Sequence, residues 1–159
     1  MTVKDEVEAA YRRYITDYPA ALWAHFRDGR AIDYDALDFW QFPMLFVVGT
    51  VGGTGIAIVD SDAFDRQVRA MYAGYVAEGW GGGIVLDRCD VSPIAADMAL
   101  IETEGIRFRA DGGVLNRWAA CYWMRRTPGG WKHIAVTDTE PPRPDARQWA
   151  QWLAQAWSS

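Results

Sequence analysis

Apolar residues at Val3, Val7, Ala10, Tyr11, Tyr14, Tyr18 and Leu22 recur at steps of three and four, which puts them on one face of a helix running from Val3 to Phe26. Pro19 falls inside that helix and is expected to kink or split it, because proline removes a backbone donor and crowds the preceding turn. Asp28-Gly29 closes the element, and Asp33 caps a short second helix carrying Tyr34, Leu37, Asp38 and Trp40. Met44 to Val48 and Ile56 to Val59 then read as the strands of a hairpin joined by the glycine-rich stretch Gly49 to Gly55. Asp60-Ser61-Asp62 caps a third helix, whose apolar face is Phe64, Val68, Met71, Tyr72, Tyr75 and Val76 and which ends in the run Gly79 to Gly83.

The second half of the chain changes period. Strands are expected at Ile84 to Asp90, Ile94 to Phe108, Val114 to Arg126 and Trp131 to Glu140, with Asp111-Gly112-Gly113 and Pro128-Gly129-Gly130 as the turns joining the last three. On the long strand, alternation puts Asn116, Trp118, Ala120, Tyr122 and Met124 on one face. Arg117, Ala119, Cys121, Trp123 and Arg125 take the other, and its two arginines mark it as the outer face. On the last strand the apolar pair Ile134 and Val136 puts Asp138 and Glu140 on the inward parity and His133 and Thr137 outward; a slip of one residue reverses the assignment. Pro141, Pro142 and Pro144 stop the sheet, and Trp149, Trp152, Leu153, Ala156 and Trp157 define one face of a C-terminal helix.

This order of helix, helix, hairpin, helix and antiparallel strands resembles the nuclear transport factor 2-like (SnoaL-like) superfamily. The best-matching pieces are Val68-Arg69-Ala70-Met71-Tyr72, Arg109-Ala110-Asp111-Gly112-Gly113, and Tyr122-Trp123-Met124-Arg125-Arg126 through Gly130-Trp131-Lys132. The resemblance implies an α+β cone in which a curved antiparallel sheet wraps around three helices of the N-terminal half, with a pocket at its wide end. The whole chain, 1–159, reads as one such domain, with 142–159 a C-terminal helical extension. The ketosteroid isomerase branch of the superfamily carries a carboxylate base on its first strand and an oxyanion hole built partly from a first-helix tyrosine. The corresponding positions here are Leu45, Phe46 and Val47 for the base and the neighbourhood of Leu22 for the tyrosine, so neither matches. The long-strand acid of that branch maps to Tyr122, and a supporting tyrosine maps to Tyr72.

Composition narrows the chemistry. The chain has 159 residues, 50 % hydrophobic and 14 % aromatic, enough for a sizeable core. Its formal net charge is −5, and its basic residues form no run, so neither nucleic acid nor an anionic membrane is an expected partner. Lys4, Asp5, Glu6 and Glu8 interrupt any apolar stretch at the N-terminus, and no run approaches the roughly 18 apolar residues of a membrane span, so a soluble, cytoplasmic protein is expected. Cys89 and Cys121 read as reduced strand residues. His25 and His133 lie in no ligand-spaced pair, so no metal is expected. Asp33, Asp35 and Asp38 suit helix capping better than Ca²⁺, and the glycines at 49, 52, 53 and 55 lack the Lys-Ser/Thr ending of a phosphate loop.

The resulting candidate site is Asp138 and Tyr122 as catalytic groups, with Tyr72, Trp118, Asn116 and Trp40 binding an apolar small molecule. Asp138 among indoles and phenols would have a raised pKa suited to acid or base work, while Tyr122 and Tyr72 would donate to a developing oxyanion. The resemblance implies a cofactor-independent isomerase, cyclase or hydrolase. The alternative is a non-catalytic module for hydrophobic-ligand binding or dimerisation. A homodimer through the outer sheet face is expected in either case.

Overall fold

The computed structural model describes residues 1–48 and 54–139, with the backbone alone at Val48, Thr54, Asp138 and Thr139. Residues 49–53 of the expected glycine-rich turn and the C-terminal tryptophan helix lie outside the described residues, while Thr54 and Gly55 belong to a strand.

Helix α1 (Val3–Asp28) begins at a capping box: Thr2 Oγ1 accepts from the Asp5 backbone N–H, and the Asp5 carboxylate accepts from the Thr2 N–H. It ends where Gly29, at φ 69°, donates its N–H to the His25 carbonyl. Pro19 neither splits nor ends it. The proline is buried within the helix, between Tyr18 and Leu22 on the same buried face. Val7, Tyr11, Tyr14, Tyr18 and Leu22 are all buried, as the periodicity requires. Each large apolar side chain withdrawn in this way stabilises the fold by about 1.5–3 kcal/mol.

Helix α2 (Tyr34–Leu37) is a single turn capped by Asp33, whose carboxylate accepts from the Ala36 N–H at 2.9 Å. Asp38 enters the left-handed region at φ 51° and stops the turn, so Trp40 opens strand β1 (Trp40–Val48) and is not part of the helix. Strand β2 (Thr54–Ile58) pairs antiparallel with β1. Helix α3 (Ser61–Ala77) is capped by Asp60 and buries Phe64, Val68 and Tyr72. Gly74 lies exposed in α3 with nothing within 4 Å of where a Cβ would stand. Gly74→Ala is therefore expected to stabilise the protein by about 0.5–1 kcal/mol in urea titrations, since alanine relieves the backbone entropy cost without a clash.

Strands β3 (Trp80–Ala95), β4 (Met98–Arg109), β5 (Val114–Thr127) and β6 (Gly130–Thr139) complete a six-stranded, curved and unclosed sheet of order β2-β1-β6-β5-β4-β3. All neighbours are antiparallel except β1 and β6. The glycine run expected to be loop instead starts β3. A Cβ on Gly81 would sit 2.5 Å from the Ala110 Cα, and one on Gly82, at φ 85°, 2.5 Å from the Trp23 ring. The absence of side chains lets strand, turn and indole close on one another, and Trp80 packs between Trp23 and Tyr72.

The long strand follows its expected alternation: Trp118, Ala120, Tyr122 and Met124 belong to the core. Ala119, Cys121 and Thr137, on the other parity, are buried as well. The last strand departs from the expectation. Tyr122 pairs with Val136 and Trp123 with Ala135, but Met124 pairs with His133, so Ile134 is an extra residue in a β-bulge. The bulge resets the parity, and His133, expected outward, faces the core at 1 % exposure while Ile134 is only half-buried.

Candidate functional site

The helices and the concave sheet face enclose a cavity lined mainly by aromatic and aliphatic side chains. Trp40 from β1, Tyr72 from α3, and Trp118 and Tyr122 from β5 all line it, so four of the six expected site residues share one space. Mouth included, the concavity measures about 580 Å³, but only about 40 Å³ of it is open to the centre of a water-sized molecule. With so little free space, a bulky ligand would need side-chain movement to fit.

Trp40 forms the hub of one wall, its ring centroid 4.7 Å from Tyr18 and 4.7 Å from Phe64. On the opposite side the Arg107 guanidinium, 4 % exposed, lies 4.4 Å from the Tyr75 ring centroid, 5.4 Å from Tyr72 and 5.6 Å from Trp118. Such cation–π contacts gain strength away from water. Arg107 Nη1 also donates to Asn116 Oδ1 at 3.3 Å. Asn116 is half-buried and does not line the cavity; its amide holds Arg107. The backbone of Asp138 pairs with Ala120 and Val48, on the same parity as Val136, while its side chain lies outside what the structure describes.

The residue missed by sequence reasoning is His133. Its ring lies 4.4 Å from Tyr14, 5.1 Å from Tyr122 and 6.1 Å from Tyr11, centroid to centroid, and it lines the cavity. Both ring nitrogens are buried, and neither has a hydrogen-bond partner among the described residues. Burial disfavours the imidazolium and pulls its pKa down to about 3. His133 is therefore a neutral imidazole at ordinary pH, offering one donor and one acceptor. An unpartnered pair of buried polar atoms costs stability unless something else meets them.

Two hydroxyl networks flank this centre. The Tyr11 hydroxyl donates to Thr103 Oγ1 at 3.2 Å, and Thr103 donates to the Ala120 carbonyl at 3.1 Å. Tyr18 and Tyr34 are joined at 3.3 Å, and Tyr34 donates to Asp65 Oδ1 at 2.8 Å. Burial raises the pKa of Tyr11, Tyr18 and Tyr34, so all three remain phenols. Lys132 is buried, but its ammonium runs to Asp38 and not to the cavity. Trp131 packs inward, and its indole N–H donates to Glu6, which also pairs with Arg126. Among the described residues no three of His, Cys, Asp and Glu converge as metal ligands, and no helix is long and apolar enough to cross a membrane.

A protein family described as "NTF2-like protein (DUF6841)" matches residues 5–141. No curated protein matches the chain. Among solved structures it is similar to an NTF2-like protein with a cystatin-like fold from Novosphingobium aromaticivorans, at 18 % identity and TM-score 0.60 over 92 % of this chain and 86 % of that one. It is also similar to a ketosteroid isomerase-like protein from Erwinia carotovora atroseptica, at 18 % identity and TM-score 0.55 over 88 % and 97 %. A domain with a cystatin-like fold from Nostoc punctiforme aligns over 100 % of both chains at 16 % identity and TM-score 0.57. At these identities the likeness is one of fold.

Proposed function

We propose, from the premise that this chain belongs to the NTF2-like family DUF6841, that it binds an apolar small molecule in the aromatic cavity and moves a proton on it without a cofactor, as an isomerase, cyclase or hydrolase. The observation that carries this reading is the neutral, unpartnered imidazole of His133 between Tyr14 and Tyr122 on the cavity wall. A buried imidazole with a pKa near 3 is too weak a base to hold a proton at neutral pH, but it is well suited to hydrogen-bond a polar group of a ligand. In this reading His133 and Tyr122 meet that polar group, Asp138 takes up or delivers the proton, and Trp40, Tyr72 and Trp118 hold the apolar body. The same lining without turnover makes a binding module, the second reading. A homodimer through the outer sheet face belongs to both, and light scattering on a sizing column tests it.

The experiment is a screen of apolar small molecules by intrinsic tryptophan fluorescence, with Asp138→Asn and Tyr122→Phe run in parallel. Saturable quenching is expected, weakened about five- to tenfold by Tyr122→Phe through the loss of one hydrogen bond. Under the enzyme reading Asp138→Asn abolishes turnover of the ligands found while leaving them bound. Quenching that neither variant alters would contradict the site.

A further inference from the structure

The cavity-lining Tyr18 begins a hydrogen-bonded chain that leaves the cavity and ends in a carboxylate. Asp65 Oδ2 is ion-paired with Arg69 Nη2 at 2.6 Å, so Asp65 only accepts. The single hydroxyl proton of Tyr34 is committed to Asp65 Oδ1 at 2.8 Å. Tyr34 then has only its oxygen to offer Tyr18, and the 3.3 Å contact must use the proton of Tyr18. Beyond Asp65, Arg69 Nη1 faces His25 Nε2 at 3.4 Å and His25 Nδ1 faces the Arg30 carbonyl at 2.8 Å. A carbonyl only accepts, so Nδ1 carries the imidazole proton and Nε2 accepts from Arg69. The hydroxyl protons of Tyr18 and Tyr34 are thereby assigned, and both point away from the cavity, toward Asp65.

From this proton count we infer that Tyr18 presents the cavity with an acceptor and no donor, and that the ligand brings a hydroxyl, phenol or amine to it. The inference deepens the proposed function and rests on it: it specifies the polar group at one end of the apolar molecule. Asp65 is here a positioning residue, holding Tyr34 and through it the direction of the Tyr18 hydroxyl. An uncompensated acceptor in an apolar wall discriminates against a ligand that cannot donate.

The test uses 4-fluorophenol and 4-fluoroanisole, which share shape and differ in the donor, with binding followed by ¹⁹F NMR in the wild type, Tyr34→Phe and Tyr18→Phe. In the wild type the phenol is expected to bind at least about fivefold more tightly than the anisole, the worth of one hydrogen bond. Tyr34→Phe releases the Tyr18 proton to turn into the cavity, so the ratio should fall to about one, with anisole affinity equal or improved. Retained anisole binding also shows that the variant is folded. Tyr18→Phe removes the acceptor and should give the same ratio near one. Equal binding of the two probes by the wild type, or a preference unmoved by Tyr34→Phe, overturns the inference and leaves the cavity reading standing. Binding of neither probe overturns both.

Discussion

Lowering the pH from 7.5 to 4.5 is expected to destabilise the protein by about 2.5 kcal/mol through His133 alone. The direction follows from the two pKa values. In the unfolded chain an imidazole titrates near 6.5, whereas burial holds His133 at about 3 in the folded protein. Below about pH 6.5 the unfolded state takes up a proton that the folded state refuses. Stability is therefore complete above that pH, falls by roughly 1.4 kcal/mol per unit below it, and stops falling near pH 3. The rings that face His133, those of Tyr11, Tyr14 and Tyr122, provide no negative charge to hold the imidazolium. Urea midpoints of the wild type and of His133→Leu at the two pH values isolate the effect, because the carboxylates titrate in both. At pH 7.5 the leucine variant should be as stable as the wild type to within about 1 kcal/mol, since two unpartnered nitrogens are replaced by an apolar group of similar volume. At pH 4.5 it should be clearly more stable. Parallel losses in the two proteins would mean that His133 is not held neutral by burial.

Gly105→Ala is expected to cost about 3 kcal/mol. A Cβ at this position in β4 would lie 2.4 Å from the Val85 carbonyl oxygen and 2.5 Å from the Trp118 ring, inside any tolerable contact. Val85 is on the paired strand β3, and its backbone is locked by the ladder; Trp118 is buried and backed by Arg107. Neither neighbour is the loose end of a flexible side chain, so relief requires spreading the strands or turning the indole. The loss appears in the same urea titration that reveals the Gly74→Ala gain. The pair separates a glycine needed for space from one that is merely present. Because Trp118 lines the cavity, its fluorescence environment should change in Gly105→Ala even where the protein remains folded.

Much of the architecture is legible in local signals. The face of α1, the caps at Asp33 and Asp60 and the alternation along β5 each depend on a few neighbouring residues, and each matches the structure. Of the cavity residues, Trp118 and Tyr122 follow from the β5 alternation and Tyr72 from the apolar face of α3. Arg107 went unread although a signal was there: it shares the parity of Ile101, Thr103 and Gly105, the buried face of β4. What failed was cumulative or long-range. A bulge at Ile134 has no residue signature, yet it moved His133 from the outside to the cavity. The glycine run before Ile84 reads as loop until Trp23 and Ala110 are seen pressing on it. The Tyr18–Tyr34–Asp65 chain joins residues 16 and 31 positions apart, and no spacing rule anticipates it.

In the proposed function a small apolar ligand meets His133 inside the cavity. The chain has 2 histidines, so a ¹⁵N-histidine NMR titration reads both rings at once. His133 lines the cavity, and His25 stands outside it between Arg69 and Arg30. Adding the ligands that quench tryptophan fluorescence should shift the His133 ring nitrogens saturably and fix one tautomer, with His25 moving little. Ligands that quench but leave His133 unmoved, or that shift His25 alone, would place binding elsewhere and contradict the account.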